Sequence, residues 1–143
     1  MSGKKSAKKL KKLVDDMRET MIESKGVGLA APQVGENARV IVCLFNQGTN
    51  NELVTEMINP VITRFSEKME VGEEGCLSLP GEFGMVARHA EIDVRFFDLK
   101  GEERNLRLKG LNAVIVQHEI DHLDGVLFMD RLTRQALIGQ HIL

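Results

Sequence analysis

Leu10, Leu13, Val14, Met17 and Met21 recur at spacings of three and four. That single apolar stripe predicts a helix over about residues 7–24, stopped by Gly26 and Gly28. The run RVIVCLF at 39–45 is short, β-branched and apolar throughout, the pattern of a buried strand. NQGTNN at 46–51 is a turn by composition. Residues 52–58 and 61–71 predict two further strands separated by Asn59-Pro60, and 85–98 alternates as one long strand. Lys100-Gly101 turns into a strand near 103–109, and 111–123 has helical periodicity with no Gly or Pro. Helix, several strands, then helix, with no regular βαβ alternation, predicts an α+β fold with a largely antiparallel sheet.

Composition narrows the class. A chain of 143 residues with 43% apolar residues is one globular domain. No apolar stretch is long enough for a membrane span. Two cysteines, Cys43 and Cys76, do not make a disulfide scaffold, and no signal-peptide pattern opens the chain, so the expectation is a cytoplasmic protein. The absence of Trp and Tyr weakens a base-stacking nucleic-acid reader. The net charge of −2 conceals an asymmetry: Lys4, Lys5, Lys8, Lys9, Lys11 and Lys12 stand without an acid among them, whereas the remaining residues carry a net −8. We therefore divide the chain into a Lys-rich N-terminal tail, 1–12, and a catalytic body, 13–143. The tail reads either as a solvated aid to solubility or as a handle for a polyanion such as RNA.

Candidate chemistry centres on His118-Glu119-Ile120-Asp121-His122. Histidines at i and i+4 share one helix face and can share one metal ion, and the Glu after the first is placed to act as general base toward a water that the metal activates. Leu111, Val114 and Ile115 precede His118 by whole turns, so an apolar wall adjoins the metal. A third ligand is needed. Asp121 and Asp124 are near, but Asp121 points off the histidine face. Cys76, in the glycine-flanked EGCLS at 74–78, is the better candidate, whereas Cys43 sits inside an apolar strand and reads as a buried hydrophobe. In GVGLAAPQ at 26–33, two glycines permit close backbone approach, and Gln33 offers a neutral amide donor suited to an oxyanion.

Together GVGLAAPQ, EGCLS and HEIDH, in that order, resemble the peptide deformylase family, marked by G-x-G-x-A-A-x-Q, E-G-C-x-S and H-E-x-D-H. The resemblance runs from about Leu13 to Leu132. It implies mostly antiparallel strands around a central metal-binding helix. It also implies hydrolytic removal of the formyl group from the N-formyl-methionine of new polypeptides, releasing formate. By the same resemblance Cys76, His118 and His122 bind one divalent metal: Fe(II), with Zn, Ni or Co as alternatives. Glu119 shuttles the proton, and the Gln33 amide and the Leu77 backbone N–H meet the oxyanion. The substrate methionine lies against Val27, Leu111, Val114 and Ile115, and the Gly28 backbone pairs with the peptide. A Glu74–Arg88 ion pair braces the Cys76 loop, and Asp121 supports the site from behind the ligands.

Two departures from the family stand out. Members usually begin with a strand and loop ahead of the first helix, and many bacterial ones end in a long basic helix that docks near the ribosomal exit tunnel. Here the Lys run leads straight into the helix, and only 11 residues follow Leu132. The compact plan resembles bacteriophage-type members. The expected setting is the cytoplasm of a bacterial cell or phage-infected host, as a monomer, with the Lys tail as the candidate ribosome contact. Rival readings are a metallopeptidase of another family, which needs neither an EGCLS cysteine nor Gln33, and a non-enzymatic binding domain, which has no use for Glu119.

Overall fold

The computed structural model describes residues 4–76 and 79–126, with side chains placed for 7–75 and 84–126. Two helices, α1 (Lys4–Glu23) and α2 (Leu111–Leu123), enclose a five-stranded sheet. Its strands are β1 (Gly28–Ala30), β2 (Val40–Phe45), β3 (Leu53–Phe65), β6 (Glu91–Phe97) and β7 (Glu103–Lys109), paired in that order. A separate hairpin joins β4 (Met69–Cys76) to β5 (Leu79–His89). Every strand pairing among the described residues is antiparallel, so the α+β expectation holds.

The apolar run of β2 explains the layering. Val40 and Val42 face α1 and pack with Val14, Met17, Met21 and Leu29. Ile41, Cys43 and Phe45 face the other way and pack with Ala113, Ile115, Val116 and Ile120 of α2. A strand covered on both faces has no polar side, which is why this one reads as continuously apolar. Cys43 is fully buried, as its apolar setting predicts.

Helix α1 starts at Lys4, so most of the lysine run is helical rather than separate from the element that follows. The helix ends at Glu23, within one residue of the expected end and ahead of Gly26: Lys25 takes the left-handed conformation (φ 56°), its N–H bonds Ile22 O, and the Gly26 N–H bonds Met21 O. That is a Schellman closure, with a lysine at the position glycine usually fills. Helix α2 closes the same way with Gly125 at φ 74°, its Val126 N–H bonding Asp121 O at 2.8 Å.

Three strand expectations are corrected. Asn59-Pro60 does not separate two strands: β3 runs through it, Asn59 adopts φ 52°, and the pairing with β6 shifts register there. A bulge absorbs the proline that a regular ladder would reject. The predicted strand 61–71 turns at 66–68 and passes into β4. The predicted strand 85–98 breaks at Ala90, where the chain leaves the hairpin and enters the five-stranded sheet. Alternation continues across that corner, so periodicity alone does not reveal it. Residues 28–30, to which the sequence pattern assigns no element, form the edge strand β1, followed by a 3-10 turn at Ala31–Val34.

Candidate metal centre and active site

Helix α2 is buried on most of its circumference, and Gln117, Glu119 and Asp121 are buried polar residues within it. Buried polar side chains need partners. The Gln117 amide finds three: its Oε1 accepts from His89 N at 3.0 Å, and its Nε2 donates to His89 O at 2.8 Å and to Ala113 O at 3.0 Å. It thereby pins strand β5 to α2. The sequence reasoning did not single out Gln117; its place beside His118 on a helix buried all round was the available signal.

Arg88 and Glu74, an expected ion pair, are close and buried: Arg88 Nε and Nη2 donate to the two Glu74 oxygens at 3.0 and 2.9 Å. The third arm of Arg88 donates to Asp121. Glu74 Oε1 also accepts from His118 Nδ1 at 2.8 Å. Burial opposes the charge on Glu74, but the hydrogen bonds from His118 and Arg88 outweigh it and hold the carboxyl below its ordinary range. Burial likewise opposes charge on His118, but the Glu74 hydrogen bond together with the negative charges of Glu119 and Glu74 outweighs it, so its pKa rises. The chain of contacts from Asp121 through Arg88 and Glu74 to His118 fixes the imidazole orientation, the arrangement that metal-binding histidines use.

With Nδ1 engaged, His118 turns its Nε2 toward His122, whose Nε2 lies 3.2 Å away. Two ring nitrogens bound to one tetrahedral ion at about 2.05 Å would stand about 3.3 Å apart. His118, Glu119 and His122 bring their ligating atoms within 4.8 Å of one another. Glu119 is buried, and its Oε1 has no hydrogen-bond partner among the described residues. Burial raises its carboxyl to about 7, and lowers His122 to about 4 with His118 adding to the effect. Paired imidazole nitrogens beside a buried carboxyl with an unmatched oxygen suit a divalent cation and a water molecule.

Strand β1 supplies the other side of the site. It is the edge of the five-stranded sheet. Leu44 N donates to Val27 O at 2.8 Å and Gly28 faces Cys43, so the peptide groups of Gly28 point away from β2, toward the open edge. Ala30 shares that orientation, and its N–H is taken by Gln33 Oε1 at 2.8 Å. The Gln33 side chain therefore sits at the end of the open edge. Ile115 is buried in the α2-side core, with Val27 packed against that core; Val114 is half-buried and Leu111 exposed. Cys76 ends β4, two residues beyond Glu74, with its side chain outside the described residues; Leu77 also lies outside them. Asp124, considered as a ligand, instead pairs with Arg39 at the surface, 3.0 Å away.

Comparison with known proteins identifies the family. The family described as polypeptide deformylase matches residues 2–137. The chain belongs to that family. It is 42% identical over 143 residues to the peptide deformylase of Thermosynechococcus vestitus, covering 95% of this chain and 76% of that one. It is 48% identical over 120 residues to that of Pelotomaculum thermopropionicum, covering 84% and 74%. Among solved structures, a probable peptide deformylase from synechococcus phage S-SSM7 matches with TM-score 0.82 and 45% identity, covering 88% of this chain and 85% of that one. A Met-Ala-Ser-bound class I type b peptide deformylase from Acinetobacter baumannii matches with TM-score 0.79 and 44% identity, covering 86% and 80%. The protein is a metal-dependent hydrolase that removes the formyl group from N-terminal formyl-methionine. No helix among the described residues is long and apolar enough to cross a membrane.

Proposed function

We propose that Cys76, His118 and His122 hold the metal, with Fe(II) the native ion and Zn, Ni or Co able to replace it. One thiolate and two imidazoles suit a soft-to-borderline ion. Once bound, the ion supplies Lewis-acid polarisation of the formyl carbonyl and acidifies a water. Glu119 accepts the proton of the attacking water on its carboxyl and delivers it to the departing amine nitrogen. The reading rests on one observation above the others: a buried carboxyl, raised to about 7 and with an unmatched Oε1, beside the facing Nε2 atoms of His118 and His122. A carboxyl of that pKa exchanges protons readily near neutrality.

The peptide adds to the sheet as an extended strand along β1, taking the outward peptide groups of Gly28. Its methionine side chain rests against Val27, Val114 and Ile115, with Leu111 at the rim. The Gln33 amide and the Leu77 N–H meet the developing oxyanion, each worth roughly 10²–10³ in rate. Asp121 and Arg88 hold the histidine helix and the EGCLS strand in one frame. The test is formate release from formyl-Met-Ala-Ser. Glu119→Ala is expected to keep the metal and lose about 10²–10⁴ in kcat, and Cys76→Ala to lose the metal. Full activity in either variant overturns the assignment.

We further place the enzyme in the cytoplasm as a monomer working at the ribosome, with the basic start of α1 meeting RNA. Lys8, Lys9, Lys11 and Lys12 are exposed, and only Lys11 and Lys12 have acidic partners among the described residues, Asp15 and Asp16. Salt-sensitive co-sedimentation with ribosomes, lost when these lysines become glutamine, is the expected result; salt-insensitive binding by both forms removes the proposal.

A further inference from the structure

We infer that the missing side chain of Gly28 seats the Glu119 carboxyl, which makes Gly28 a positioning residue for proton transfer as well as part of the peptide-binding edge. The inference rests on the reading of Glu119 as the proton carrier. Gly28 lies in a β-strand, and its backbone is not left-handed, so its conformation is open to any residue. Strands in general disfavour glycine. Its outward N–H and C=O would serve a peptide equally well on any other residue. Backbone geometry and hydrogen bonding therefore leave the glycine unexplained, and close approach explains it.

A Cβ built on Gly28 would stand 2.5 Å from Glu119 Oε2, 2.9 Å from its Cγ and 3.0 Å from its Cδ. The three nearest atoms all belong to one side chain. Gly35, Gly48, Gly101, Gly110 and Gly125 are the reverse case, with positive φ and nothing within 4 Å of an added Cβ. An exposed glutamate would swing aside. Glu119 is buried against β1, and its other oxygen is also buried, with no hydrogen-bond partner among the described residues. A displaced carboxyl must therefore change its distance to the facing Nε2 atoms of His118 and His122.

A double-mutant cycle on the metal-loaded enzyme tests this. Gly28→Ala is expected to lower kcat about 10²-fold, the loss that a misplacement near 1 Å produces. KM for formyl-Met-Ala-Ser should stay within about 3-fold and metal content should not change, because the binding edge and the ligands are intact. Glu119→Asp shortens the side chain and withdraws it from position 28. In that background Gly28→Ala is expected to cost less than about 5-fold, a strong departure from additivity. Equal losses in both backgrounds, or a raised KM at constant kcat, overturn the inference. If Gly28→Ala alone folds poorly, the double variant should melt at a higher temperature than the single one; failure to do so also overturns it. Those results leave the role of Glu119 standing, whereas full turnover by Glu119→Ala removes that role and this inference with it.

Discussion

Two arginine–carboxylate clusters in this enzyme use the same chemistry on opposite sides of the solvent boundary. On the outer sheet, Arg64 and Arg107 share Asp93, with Arg107 Nε 2.8 Å and Arg64 Nε 3.0 Å from its oxygens, and both reach Glu91. At the metal centre, Arg88 joins Glu74 to Asp121, and Glu74 passes the contact on to His118. Arg107 is 66% exposed and Arg88 is 5% exposed. Water and salt screen the first cluster, so its dense bonding contributes little. The second has traded hydration for fixed partners, so each member depends on the others. Dense hydrogen bonding is therefore a poor guide to importance until burial is known.

Removing one partner should separate the two clusters most sharply. Arg88→Met takes the shared arginine away from two buried carboxylates, and removing one partner of a buried ion pair costs about 3–5 kcal/mol. Urea unfolding should show that loss, together with faster escape of the metal, because Glu74, which orients His118, loses its own anchor. Arg88→Met with wild-type stability and metal retention would make the buried cluster no different from the surface one.

Acid titration gives an intermediate effect. The folded carboxyl of Glu74 is held below its ordinary 4.5. A group depressed in this way stabilises the fold above its unfolded pKa, and the contribution disappears as pH falls through the folded value. Glu74→Gln should thus be less stable than wild type at neutral pH, with the gap closing below about pH 4.5. A gap that stays constant, followed by urea midpoints across that range, would contradict the assignment. The smallest effect belongs to the surface: Arg107→Ala should lower the melting temperature by only about 1–2 °C, and added salt should erase the difference.

Local patterns carried much of this molecule. The stripe from Leu10 to Met21, the apolar run around Ile41 and the paired histidines each depend on a period that a short segment contains. HEIDH needs only a helix to bring His118 and His122 to one face. Where the pattern was ambiguous, the fold decided: alternation through Ala90 gave no sign that the chain changes sheets, and Asn59-Pro60 looked like a break because the bulge in β3 that admits it forms only in the pairing with β6.

What the sequence by itself determined is the set of chemical groups and the elements that carry them, because helix and strand periodicities are local. Only the tertiary structure decided which groups meet. Gln117 clasping His89, Arg88 spanning Glu74 and Asp121, and Glu119 pressed against the bare Cα of Gly28 join residues from 14 to 91 positions apart. Such contacts arise from packing two layers around one core, and no repeat along the chain records them.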